Sequence, residues 1–202
     1  MKVVGNLEVR IGVLNGRVDK QARQLSKKSH KIMTVQSLRQ FAINTLLGMP
    51  GIQYGAKPAP IPADANLTDI EEVGRDWLEK YLGEFAAEVI DRENTLAGAA
   101  PVIAAIGAIG NSIVKAGDEY EREHVARDLL DSLKQVNWNK GDHWAGIAGK
   151  FTEKGTFSIG GTKEVAYAIY NVLTDPTNPG YRRIRTGTPV TAPPETPVAA
   201  HA

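Results

Sequence analysis

Thr95-Leu96-Ala97-Gly98-Ala99-Ala100-Pro101-Val102-Ile103-Ala104-Ala105-Ile106-Gly107-Ala108-Ile109-Gly110-Asn111-Ser112-Ile113-Val114 runs for twenty residues without a charge. On length alone it would cross a bilayer as a helix. Its composition argues otherwise. It holds only seven Leu, Ile or Val residues, is interrupted by Gly98, Pro101, Gly107 and Gly110, and carries Asn111-Ser112 near its end. Such a segment is poor in the large apolar side chains that lipid favours. A buried central helix is expected, with small residues where neighbouring helices approach closely, because the segments on both sides read as strongly acidic helices.

Those flanking segments carry start signals. Thr68 and Glu71 form a capping box ahead of Ile70, Val73, Trp77, Tyr81, Phe85 and Val89, which predicts one amphipathic helix of about six turns. Asp118 and Glu121 repeat the box before Val125, Leu129, Leu133 and Val136. Farther out, Thr34 caps a helix bearing Val35, Leu38, Ala42 and Leu46, which Gly48 and Pro50 stop. Residues 48–66, with four prolines and three glycines, read as an irregular connector. A loop with glycines and aromatics spans Asn137 to Gly161, and Thr162 then caps a last helix with Val165, Ile169 and Val172 or Leu173 inside, ended by Pro176.

The ends differ from the middle. Leu7, Val9, Ile11 and Val13 alternate with Glu8, Arg10 and Gly12, the period of a half-buried strand, and Asn15-Gly16 supplies a turn. Residues 1–16 therefore read as a short β element, which either pairs with a strand later in the chain or is the remainder of a truncated N-terminal domain. Residues 17–174 form the helical domain. Residues 175–202 are Pro-rich with Thr, Ala and Gly and are expected to be a disordered tail. The fold class is therefore mainly α: about five helices around a small-residue-rich central helix, with a short N-terminal β element and that tail.

Composition bounds the chemistry. Across 202 residues there is no cysteine, 42% hydrophobic and 23% charged residues, and a formal charge of +1. Disulfides and thiolate metal sites are excluded. The N-terminal residues lack the regions of a signal peptide, and cysteine-free composition fits a reducing compartment, so a cytoplasmic location is expected. The small net charge hides segregation. Residues 1–50 carry nine Lys or Arg against two acids, whereas residues 64–131 carry sixteen acids against six Lys or Arg. The basic run comprises Arg17, Lys20, Arg23, Lys27, Lys28, Lys31 and Arg39 with His30 among them, a composition that attracts polyanions. The plainer reading is a solvated stretch that pairs with the acidic middle.

Candidate chemistry is sparse. Gly155 and Gly160 have the spacing of a phosphate-binding loop, but Gly161-Thr162-Lys163 follows them, so lysine and hydroxyl are displaced from the positions that nucleotide hydrolysis needs. What remains is a helix start at Gly160, Gly161 and Thr162 with Lys163 beside it, a phosphate contact or an ordinary glycine turn with a Thr cap. His30, His124, His143 and His201 show no metal-ligand spacing, and no metal or cofactor is expected. Asp142-His143 with Glu153 has no marked nucleophile beside it, so no catalytic residue is assigned. Trp138 and Trp144 suit either base stacking or anchoring of a loop on the core.

Several segments together resemble a known family. Arg17-Val18-Asp19 and Leu25-Ser26-Lys27-Lys28-Ser29-His30-Lys31-Ile32-Met33-Thr34-Val35-Gln36-Ser37-Leu38 are similar to a segment of the DGQHR-domain family of DNA sulfur modification proteins, the DndB family. Arg92-Glu93-Asn94 leading into Ala104 to Ser112, Val136-Asn137-Trp138-Asn139-Lys140 with Trp144-Ala145-Gly146, and Gly160-Gly161-Thr162-Lys163 resemble later pieces of it in the same order. The D-G-Q-H-R motif is missing, Ile109 stands where arginine is common, Asn137 replaces an acidic residue, and Ala148 and Gly149 supply no arginine. The resemblance therefore extends to the C-terminal, helical half of the family, over residues 17–174. It implies a bacterial, DNA-associated accessory or regulatory protein of a phosphorothioation system, touching DNA through Arg17–Arg39, with other DNA modification proteins as further partners and no membrane. Two alternatives stand beside it: a helical interaction module that recruits or inhibits modification enzymes through its acidic face, and a nucleotide-using enzyme.

Overall fold

The structure is a computed structural model that describes residues 10–22, 24–26, 29–55, 57–63, 65–161 and 163–187. Its centre is α5, Ala100–Lys115, in which every residue from Pro101 to Asn111 is buried. Small residues make this possible. A Cβ on Gly107 would stand 2.5 Å from the Phe41 carbonyl oxygen, and one on Gly110 would collide with the Trp77 ring. The helix starts at Ala100 with Pro101 in its first turn, where the missing N–H costs nothing. The residues before it form a connector instead, held by Leu96 N–H donating to Trp138 O at 2.9 Å.

Around α5 pack α1 (Val35–Leu47), α2 (Met49–Ile52), α3 (Leu67–Glu84), α6 (Glu119–Lys134) and α7 (Lys163–Thr174). Thr34 caps α1 by accepting from Ser37 N–H at 3.1 Å, and Gly48 at φ +67° ends it. The inward face of α1 is Leu38, Phe41, Asn44 and Thr45, rotated from the expected Val35, Ala42 and Leu46. Its polar members are satisfied: Asn44 Nδ2 donates to Ala104 O and Thr45 Oγ1 to Phe41 O. From α5, Asn111 Nδ2 returns two hydrogen bonds to Thr45 O and Leu46 O, both 2.9 Å, occupying carbonyls left over at the α1 C-terminus.

Three expectations are corrected on the acidic side and in the connector. The connector holds α2, with Pro50 in its first turn and Ile52 buried against Ala104, Ala108 and Ala166. α3 is entered through Asn66, whose Oδ1 accepts from Thr68 N–H at 3.1 Å, so Thr68 lies inside the helix. The six-turn stripe is split at Phe85, which leaves helical geometry (φ −111°, ψ 30°) before α4, Ala86–Ile90. That break lets Phe85 lean on Tyr81 at 5.1 Å and meet Trp138 edge-on at 5.9 Å. The stripe is otherwise buried at Trp77, Tyr81, Phe85 and Val89, while the Ile70 side chain lies outside the described residues. Burial pushes the Tyr81 hydroxyl well above its ordinary value, and it donates to Ala97 O at 2.9 Å. On α6, Asp118 Oδ1 accepts from Glu121 N–H, and Glu121 reaches back to Gly117 N–H.

The remaining corrections concern strands and termini. Gly12–Leu14 is a 3-10 turn, and Leu7 and Val9 lie outside the described residues. The N-terminal β element is β1 (Val18–Asp19), parallel to β2 (Met33–Thr34) with Val18 opposite Met33. The expected 137–161 loop contains a hairpin, β3 (Gly149–Phe151) against β4 (Phe157–Ile159), closed through Gly155 at φ +72°. Beyond Asp175, α8 occupies Pro179–Thr186 within the expected tail. Asn178 Oδ1 accepts from Gly180 N–H, Ile184 is fully buried, and Gly187 at φ +70° terminates it. The tail's residues 188–202 lie outside the described set. No helix among the described residues is long and apolar enough to cross a membrane.

Candidate functional site

The starts of α1 (Thr34, Ser37) and α5 (Ala100, Pro101) and the approach to α7 (Gly160, Gly161) line a cleft of about 340 Å³. Its walls come from four stretches far apart in sequence. Residues 24–26 and 32–37 supply Leu25, Ser26, Met33 and Ser37. Residues 92–101 supply Arg92, Glu93 and the start of α5. Lys140 comes from the loop after α6, and Phe157, Ile159, Gly160 and Gly161 come from β4 and the approach to α7. Much of the lining is apolar, with Arg92 and Lys140 on one side and Glu93 the single carboxylate among the described lining residues.

Backbone carbonyls fix both cations in place. Arg92 Nη2 donates to Ser29 O at 2.6 Å, which ties the basic segment to the turn before α5. Lys140 Nζ donates to Arg92 O at 2.6 Å and Glu93 O at 2.8 Å, while its backbone N–H donates to Asn94 O at 2.7 Å. The turn itself is held by Asp91, whose carboxylate accepts from Asn94. Arg92 has no ion pair among the described residues, so most of its five donors stay available. The helix starts add partial positive charge. At α5 the N-cap is Ala99, with no side chain to accept from the first-turn amides.

The expected site residues are only partly brought together. Arg23, Lys27, Lys28 and Thr162 lie outside the described residues. Arg17 is half-buried at the start of β1, and its carbonyl accepts from Ile32 N–H. Lys31 Nζ donates to Gly16 O at 2.6 Å, and Arg39 Nη2 donates to Lys57 O at 3.1 Å. Lys20 and His30 are exposed. None of these lines the cleft, which takes the uncharged residues of the same segment. Asp19, inside the run, accepts from Ala22 N–H and Gln21 N–H; those bonds, with Lys31 nearby, hold its carboxyl below the ordinary value.

The glycine approach does reach the cleft. Gly160 N–H is spent on Ala148 O at 2.9 Å, and a Cβ there would meet Val165 Cγ2 at 2.6 Å, so this glycine is required for packing. Gly161 faces open space and Lys163 is exposed as the first residue of α7. Gly155 belongs to the hairpin turn, so the two glycines of the apparent phosphate-loop spacing serve different purposes.

Other sequence candidates resolve into core structure. Trp138 and Trp144 stack at 5.8 Å and are 4% and 0% exposed, which leaves no face for a base. His143 is buried with its Nε2 at 3.0 Å from Asn137 O, the same carbonyl that accepts from Trp144 Nε1. No group of three or more potential metal ligands occurs among the described residues. Sequence reading missed Arg92 and Lys140 as site residues, because charges at a helix junction and in a loop look like caps. The available signal was that both fall inside segments singled out for another reason. No protein-family model, curated protein or solved structure matches this chain, so the cleft is read from its own chemistry.

Proposed function

We propose that this chain is a DNA-associated accessory or regulatory protein of a DNA sulfur modification system, related to the C-terminal half of the DGQHR-domain family and engaging the phosphate backbone at the rim of the cleft. One observation carries the reading. Parts of the four segments that resemble the family, Leu25 to Ser37, Arg92-Glu93, Lys140 and Gly160-Gly161, line a single cleft whose charged side is Arg92 and Lys140. The starts of α1 and α5 together with two cations form a positive surface that favours a phosphate. At about 340 Å³ the cleft takes one nucleotide and not a duplex. A duplex is held by the basic segment, in whose sequence Lys27 and Lys28 follow the cleft residue Ser26.

The test is a salt titration of duplex binding. Replacing Lys27, Lys28 and Lys31 by Ala weakens binding similarly on unrelated sequences and reduces the salt slope by about 0.9 per lost phosphate contact. Lys163→Ala lowers affinity by at most about 1 kcal/mol, the scale of an exposed charge at a helix end. An unchanged slope in the triple variant refutes the basic segment as the contact. Absence of salt-dependent duplex binding in the unsubstituted chain refutes the DNA reading itself.

A further inference from the structure

On the side of the molecule built by the acidic helices, α3 and α6 rest together on α5 and leave between them an open groove of about 630 Å³. Its floor is apolar. Val73 and Trp77 come from α3, Ile113 from α5 and Ala126 from α6; Trp77, Ile113 and Ala126 are buried and Val73 is half-buried. Its rim is acidic, with Glu72, Asp76 and Glu79 on α3 facing Glu119 and Glu123 on α6.

The rim charges are unequally neutralised. Lys80 crosses to Glu123 at 2.9 Å, and Arg75 pairs with Asp76 at 2.7 Å. Glu72, Glu79 and Glu119 are all exposed and make no ion pair among the described residues, while Arg75 acts on Glu72 and Glu79 by charge at longer range. Arg122 also lines the groove, with its Nε–H buried beneath the surface.

We infer that this groove docks a lysine- or arginine-bearing amphipathic helix of a partner protein. The occupant lays apolar side chains on Val73 and on the aliphatic stems of the rim residues while its cations meet Glu72, Glu79 and Glu119. A helix fits better than a strand because the groove is bounded by helices and offers no sheet edge to extend. Glu72 and Glu79 lie seven residues apart on α3, about two turns, so an occupant of about three to four turns spans the rim. This surface is separate from the cleft, and its test does not depend on the nucleic-acid reading.

The probe is a synthetic helical peptide of about fourteen residues, with leucines on one face at helical spacing and lysines elsewhere, titrated into the full chain by calorimetry. Saturable one-to-one binding is expected. The triple variant Glu72→Lys, Glu79→Lys, Glu119→Lys weakens it by about tenfold or more, from three rim pairs each contributing roughly two- to fivefold. Glu72→Gln, Glu79→Gln, Glu119→Gln weakens it less, and thermal unfolding of both variants verifies that the fold is retained. Glu153→Lys with Asp128→Lys, charge reversals away from the groove, leaves affinity within about twofold at physiological salt. Equal loss in the groove and remote variants would reduce the binding to bulk attraction and overturn the proposal, as would equal binding of a leucine–glutamate peptide. Self-association in sedimentation, lost in the triple variant, would assign the groove to a second copy and overturn the named occupant.

Discussion

Substituting Gly107 by alanine adds one methyl group where the structure has no room for it. The new carbon would stand 2.5 Å from the Phe41 carbonyl oxygen and 2.9 Å from its Cα, where ordinary contact begins near 3.4 Å. The obstruction is backbone and cannot rotate away, so α1 and α5 must part by roughly 0.9 Å along a closely packed interface. Overpacking costs about 1–3 kcal/mol, and a backbone obstruction belongs at the upper end. The better helix propensity of alanine offsets about 1 kcal/mol of this. The expected net loss is about 2 kcal/mol, a fall in Tm of roughly 4–8 °C for a chain of this size. Gly74→Ala is the internal control. It makes the same substitution inside α3, where the added carbon meets Thr45 Cγ2 at an ordinary 3.5 Å, and is expected to stabilise by up to about 1 kcal/mol. Urea and thermal unfolding followed by far-UV circular dichroism measure both. If Gly107→Ala proved as stable as Gly74→Ala, the close approach of α1 to α5 would be wrong, and with it the packing of the central helix.

Further outcomes follow from the same structure. Asn111→Ala removes the two bonds to Thr45 O and Leu46 O and lowers the urea midpoint by an amount equivalent to about 2 kcal/mol with an unchanged m-value. Ile184→Ala destabilises by about 2–3 kcal/mol in the same assay, because the side chain is fully buried; an effect near zero would return residues 179–186 to the tail. The Asp19 carboxyl is depressed in the folded chain by the Ala22 and Gln21 amides. Its turn is therefore complete above the ordinary carboxylate range and is lost as pH falls below about 4. The protection factors of those two amides, taken against the intrinsic exchange rate at each pH, should fall on acidification, and Asp19→Ala should remove that pH dependence.

The candidate site was legible in pieces and not as a place. Arg92-Glu93-Asn94, Lys140 and Gly160-Gly161 each stood out in sequence, yet nothing local says that residues 92, 140 and 160 share one cleft. That proximity is produced by Leu96 pairing with Trp138 and by the hairpin that returns the chain to Gly160. The basic run was legible as charge, but charge does not reveal where a side chain ends. Lys31 and Arg39 spend donors on Gly16 and Lys57 carbonyls, and the cleft takes their uncharged neighbours.

Local chemistry by itself determined the class and the central helix. Twenty uncharged residues rich in Ala and Gly between acidic amphipathic stretches call for burial among other helices, and α5, which takes up most of them, is buried in that way. Caps at Thr34 and Asp118 were equally readable, because a cap is an interaction over three residues. Tertiary structure decided what short-range signals leave degenerate. Phe85 breaks α3 from α4 because its ring is placed between Tyr81 and Trp138, and no propensity at Phe85 encodes that partner. The N-terminal β element lies at Val18–Asp19 because Met33–Thr34 is there to pair with it, whereas Gly12–Leu14 upstream is a 3-10 turn that buries Leu14. Pro179–Thr186 becomes a helix because Ile184 finds a buried position that offsets the entropy of ordering a Pro- and Gly-flanked segment. In each case the deciding free energy comes from burial against residues distant in the chain, which a local pattern cannot contain.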